Sequence, residues 1–131
     1  ADHTALASDS GKTFIILPGA TTELTLPTPG TGAANAQEGW TCTVILQSDS
    51  GFGGDAIMDQ KVNINMVSTQ NVGLILAVDA GDQAVDADDY INCSANASPG
   101  DRFEFLSDGT RYFVNGLVAD ASETPFNNAA G

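Results

Sequence analysis

Along most of this chain apolar and polar residues alternate with a period of two. Val62, Ile64 and Met66 fall on one side of a pleated segment, with Asn63 and Asn65 on the other. Trp40, Cys42, Val44 and Leu46 share a face opposite Thr41, Thr43 and Ile45. Successive side chains of a strand point to opposite faces, whereas a helix repeats every 3.6 residues, so the pattern selects half-buried strands. Strands are expected over residues 13–17, 23–26, 40–47, 61–67, 74–78, 90–94, 102–107 and 110–115, with a further one at 116–119. No segment long enough for a helix carries a helical period with capping residues.

The breakers agree with this reading. Asp108-Gly109 separates the alternating runs Phe103-Glu104-Phe105-Leu106 and Tyr112-Phe113-Val114. It predicts a hairpin with a type I′ turn, which needs positive φ at both central positions. Asn115-Gly116 predicts a second tight turn, and Pro18-Gly19, Pro29-Gly30 and Pro99-Gly100 punctuate other joints. Residues 27–39 are rich in small and turn-forming residues and read as a loop. The expected fold is all-β: an antiparallel β-sandwich or jelly-roll-like barrel of eight or nine short strands with extended N- and C-terminal arms. Residues 1–12 form the N-terminal arm with Leu6 as its apolar anchor, 13–119 a single β domain, and 120–131 a polar C-terminal tail whose one aromatic is Phe126.

Composition narrows the classes further. A chain of 131 residues supports one core without metal or disulfide staples. The longest apolar runs, 14–17 and 74–78, fall far short of the roughly 20 residues of a membrane helix. The opening residues show no secretory signal, which a mature chain would have lost. Seventeen acids face four bases (Lys12, Lys61, Arg102 and Arg111), for a net charge of −13. Such a field repels phosphate backbones and anionic lipids, so neither nucleic acid nor membrane is expected as a partner. The acids read first as a solvated surface, and alternatively as a face for a basic partner. Cys42 and Cys93 sit among apolar, β-forming neighbours and read as buried small hydrophobes rather than a disulfide framework.

The chemistry-bearing motifs are weak. Gly11-Lys12-Thr13 evokes a phosphate loop, but Leu6 stands where that motif needs glycine, and a strand follows where it needs a helix. The one histidine, His3, lies in the expected arm, where it cannot serve as a positioned base or complete a zinc site. The acids around Asp79, Asp82, Asp86, Asp88 and Asp89 are hard oxygen ligands, yet their spacing does not fit a calcium loop, and a solvated acidic loop is expected. Trp40 shares a face with Cys42, Val44 and Leu46 and is expected in the core rather than on a sugar-binding platform. Glu104, between Phe103 and Phe105, is expected to face solvent. Asn92-Cys93-Ser94 and Asn96-Ala97-Ser98 match the short glycosylation pattern. No catalytic residue, metal or cofactor is expected, and the chain does not read as an enzyme.

Two stretches carry a resemblance. One is Ala1-Asp2-His3-Thr4-Ala5-Leu6-Ala7-Ser8-Asp9-Ser10-Gly11-Lys12-Thr13-Phe14, whose Asp9–Phe14 part leads into the first long strand, followed by a Leu-Pro-containing β region. The other runs Gly100-Asp101-Arg102-Phe103-Glu104-Phe105-Leu106-Ser107-Asp108-Gly109-Thr110-Arg111-Tyr112-Phe113-Val114-Asn115-Gly116. Together they resemble the small β domains on tailed-bacteriophage virions, in capsid decoration (cement) proteins and in head or tail fibres. A fibre usually adds a coiled coil, a collagen-like repeat or an attachment region, and this sequence shows none, so a decoration protein is the closer fit. The resemblance implies a homotrimer on the outer capsid surface of the virion, made in the host cytoplasm and clamping the major capsid protein. Asp2, His3, Leu6 and Lys12 would then be capsid-binding residues of the arm, since an extended segment can add to a partner's sheet. Phe103, Phe105, Tyr112 and Phe113 of the last hairpin, with Phe126 of the tail, would supply trimer contacts. The alternative is a receptor- or carbohydrate-binding module of a fibre or adhesin.

Overall fold

A computed structural model describes residues 3–16, 22–46, 62–67, 71–77, 81–86, 90–93, 100–118 and 126–127. Within them the chain is mostly strand. The strands are β1 (His3–Thr4), β2 (Lys12–Ile16), β3 (Thr22–Thr25), β4 (Thr41–Leu46), β5 (Val62–Asn65), β6 (Val72–Ala77), β7 (Gly81–Asp86), β8 (Tyr90–Cys93), β9 (Arg102–Ser107), β10 (Tyr112–Val118) and β11 (Phe126–Asn127). One 3-10 turn, Ala7–Asp9, is the only helical piece among the described residues.

The strands form two sheets. A five-stranded sheet runs β1-β3-β5-β8-β11 and a six-stranded sheet runs β2-β4-β9-β10-β6-β7. Pairing is mixed rather than antiparallel throughout: β1/β3, β3/β5, β2/β4 and β6/β10 are parallel. The connectivity explains the first three. From β1 to β5 the chain alternates between the two sheets, so each return to a sheet follows two crossings and restores the strand direction. Hairpin-style antiparallel pairing is left to β6/β7 and β9/β10.

The strand patterns match the alternation in the sequence. β4 buries Cys42, Val44 and Leu46, β9 buries Phe103, Phe105 and Ser107, and β10 buries Tyr112, Val114 and Val118. The five-stranded sheet contributes Leu24, Ile64 and Ile91 to the same buried cluster. Phe103 and Phe105 are at most 2% exposed, and each such burial is worth about 1.5–3 kcal/mol. Tyr112 lies at the centre, edge-on to Trp40 at 5.9 Å and to Phe105 at 6.2 Å between ring centroids. Trp40 is therefore core, as its pattern indicates, and so is Cys42, a free buried thiol. The side chain of Cys93 lies outside the described residues.

Several expectations need correction. The Asp108-Gly109 joint is a hairpin, but not a type I′ turn. Tyr112 pairs with Ser107, which leaves four connecting residues, and only Gly109 there has positive φ. The Asp108 carboxylate makes the turn instead, accepting the Thr110 and Arg111 N–H groups at 2.8 and 2.9 Å. This side-chain substitute for a backbone turn is what Asp offers in a loop. Asn115-Gly116 is no turn. β10 runs straight through it, held by β9 on one side and β6 on the other, and pairing on both flanks outweighs local turn propensity. The acidic stretch expected as a loop contains β7, masked in the sequence by Asp, Gly and Ala. Asp82 and Asp86 both lie on it, four residues apart. Asp79, Asp88 and Asp89 lie outside the described residues.

Loop 27–39 is irregular yet tightly tied down. Ala36 is fully buried, and its carbonyl accepts the Ser107 hydroxyl at 2.7 Å. The Tyr112 hydroxyl donates to the Pro27 carbonyl. The Asn35 and Gln37 amides bond the carbonyls of Thr28 and Gly32, both at 3.0 Å. At the same end of β10, Asn71 accepts the Tyr112 N–H at 2.9 Å. Beside it Gly73 is obligatory: a Cβ there would stand 1.9 Å from the Val114 carbonyl oxygen of the paired strand.

Candidate functional site

Among the described residues β1 and β2 are both edge strands, one in each sheet. An edge exposes unpaired backbone N–H and C=O groups and, where side chains are apolar, invites another chain. The run Phe14-Ile15-Ile16 makes β2 unusual, because it is apolar on both faces. Phe14 and Ile16 are half-buried against the core, and Ile15 points outward at 61% exposure. Leu6, just after β1, is 58% exposed. These two are the most exposed large hydrophobic side chains among the described residues.

Between them lies a groove of about 580 Å³, lined by His3, Leu6, Lys12, Phe14, Ile15 and Leu24 among others. Its walls are set by the 3–11 segment, which is pinned at several points. Ala5 is buried and its N–H donates to the Thr25 carbonyl at 2.8 Å, continuing the β1/β3 pairing. The Trp40 indole N–H donates to the Ala7 carbonyl at 3.1 Å. The Gly11 N–H donates to the Thr41 carbonyl at 2.7 Å, and Ser10 Oγ accepts the Thr41 N–H at 3.2 Å. Residues 3–12, expected as an extended arm, lie along the domain, and Leu6 is presented rather than packed.

Asp9 holds the bend. Its carboxylate accepts the Leu6 N–H at 2.8 Å and the Lys12 ammonium at 2.8 Å. The Lys12 hydrogen bond first, and the Leu6 N–H next, hold this carboxyl below the usual carboxylate range. The Lys12 charge is thus largely matched within the chain. Across the groove mouth the His3 and Phe14 rings stack at 5.6 Å, tilted by 50°.

The capsid-binding residues named from the sequence therefore converge in part. His3, Leu6 and Lys12 line one groove, while Asp2 lies outside the described residues. The residues named for trimer contact do not. Phe103, Phe105 and Tyr112 are at most 2% exposed and belong to the chain's own core. Phe113 alone of the four faces outward, at 40% exposure. Phe126 stands on β11 opposite Ile91, and its side chain lies outside the described residues. Sequence reasoning passed over Phe14 and Ile15 as ordinary strand residues. The signal was there: three apolar residues in a row break the alternation of a strand covered on one face.

Among the described residues no group of three His, Cys, Asp or Glu side chains is placed to hold a metal. Burial pushes the Cys42 thiol up to about 12, so it is no nucleophile at neutral pH. No helix in the described residues is long and apolar enough to cross a membrane. No protein-family model, curated protein or solved structure gives a significant match to the chain.

Proposed function

We propose that this chain is a protein-binding module that works by contact, and that it decorates an assembled bacteriophage head. The observation that carries the reading is the groove between two sheet-edge strands, with Leu6 and Ile15 exposed at its rim. An apolar groove beside an open strand edge suits an extended segment of a partner, which gains main-chain hydrogen bonds from the edge and side-chain burial from the groove. The phage-head assignment adds the resemblance of the opening and hairpin segments to decoration proteins. In this reading the two sheets are the layers of a sandwich, for which their shared core cluster speaks.

The energetics need no reaction. A protein that binds only the assembled lattice stabilises it by mass action, by RT ln(1 + [L]/Kd) per site. Copies joined as a homotrimer, each touching the major capsid protein, add avidity when their spacing matches the lattice. The net charge of −13 suits a place on the outer capsid surface, away from the packaged genome. The carbohydrate-binding alternative has lost its best residue, because Trp40 is 4% exposed and its indole N–H is taken by Ala7.

The test is co-sedimentation of the full chain with purified phage heads from the phage that encodes it. Wild type is expected to pellet saturably with heads. Leu6→Asp, which puts a charge on an exposed rim residue, is expected to weaken binding at least about tenfold while leaving the circular-dichroism melt unchanged. Absence of wild-type binding overturns the phage-head assignment, and full binding by the variant overturns the groove.

A further inference from the structure

A second surface is left over, on the outer face of the six-stranded sheet. There the register lines up side chains in rows. Thr41, Leu106 and Phe113 form one row, and Ile15, Ile45, Arg102 and Leu117 another. Leu106, Phe113 and Leu117 are 45%, 40% and 45% exposed. Thr13, Thr43, Glu104 and Asn115 lie between the rows. The charges of β2, β4, β9 and β10 on this face are Arg102 and Glu104, bound to each other at 2.8 Å. By register the two rows continue through Val72 and Leu76 of β6 to Asp86 and Asp82 of β7.

We propose that copies of this chain pack against one another through this face, with Leu106, Phe113 and Leu117 in the contact. Charge selects a second copy as the occupant. The chain carries −13, so two copies repel wherever their acidic surfaces meet. Over β2, β4, β9 and β10 this face sums to zero, and contact there removes apolar surface from water without opposing like charges. The four strands β2, β4, β9 and β10, at about 4.8 Å spacing and each roughly 18 Å long, give a projected face of about 350 Å² per copy, so about 700 Å² between two copies, the size of a weak, concentration-dependent contact. The inference rests on the self-association in the proposed function and identifies its surface. It does not depend on what the groove binds.

The test is the mass of the full chain by light scattering across about 1–100 µM, for wild type, the pair Leu106→Lys/Phe113→Glu, and Phe113→Thr. The paired variant keeps the net charge and places opposite charges on facing residues of β9 and β10. The conservative variant keeps a β-forming residue should the pair fail to fold. Wild type is expected to be a discrete multimer, and either folded variant to need at least about ten times more protein to assemble. A monomeric wild type at 100 µM overturns the inference, and so does a folded Phe113→Thr that assembles like wild type. A monomer that still binds phage heads overturns this surface alone, whereas a multimer that ignores heads overturns the phage-head assignment alone.

Discussion

Tyr112 joins three parts of the molecule, and replacing it by phenylalanine isolates one of the joints. Its ring packs edge-on to Trp40 and Phe105, its N–H donates to Asn71, and its hydroxyl donates to the Pro27 carbonyl at the start of loop 27–39. Tyr112→Phe keeps the ring and the backbone bond and removes only the hydroxyl. The Pro27 carbonyl is then left without that donor at a buried position, and Tyr112 itself is 0% exposed, so water has no route to replace it. A buried acceptor left unpaired costs about 1–3 kcal/mol. A domain of 131 residues has an unfolding entropy near 0.28 kcal/mol/K at the midpoint, so the loss amounts to about 4–11 °C in Tm. Burial pushes the phenol pKa upward, so the hydroxyl stays protonated and the loss is the same at pH 7 and pH 9. Differential scanning calorimetry at both pH values measures it. A variant melting within 1 °C of wild type would refute the claim that this bond pins the loop to the sheet.

Other expectations follow from the same geometry. Gly73→Ala forces a Cβ to within 1.9 Å of the Val114 oxygen, so β6 and β10 must part, and a loss of about 3 kcal/mol or more is expected in urea titrations. Asp9 has a folded pKa below its unfolded value, so its stabilisation is present above pH ~4 and fades as pH falls through the folded value. Asp9→Asn should lower Tm at pH 7 and leave it nearly unchanged at pH 2, and equal shifts at both values would remove the Lys12 and Leu6 bonds from the account. In a Cys93→Ser background, Cys42, buried and with its pKa near 12, should resist a thiol reagent at pH 8 until the chain is unfolded. Rapid labelling of the folded protein would contradict its burial.

The sequence displayed the body of the fold and hid its edges. β4, β9 and the start of β10 were legible because buried and exposed residues alternate cleanly there. β7 was not, because Gly81-Asp82-Gln83-Ala84-Val85-Asp86 has the composition of a loop and is a strand only through its pairing with β6. The parallel pairs were hidden as well, since direction depends on how often the chain crosses between sheets, and no local pattern encodes that. Of the site, His3, Leu6 and Lys12 could be named from position and resemblance. Their gathering in one groove required β1 and β2 to end up as edges, a consequence of strand order. Phe103, Phe105 and Tyr112 show the converse. Aromatics on a hairpin look available for contact until the register places them at the middle of the core.

The central claim is that this protein acts by gripping an assembled lattice, and its most direct measurement compares assembled with unassembled partner. Titrating the fluorescently labelled chain against intact heads and against free capsid subunits gives two dissociation constants. The account predicts saturable binding to heads, binding to subunits at least about a hundredfold weaker, and heads that resist thermal disruption better when saturated. Equal affinity for both, or binding to neither, would contradict it.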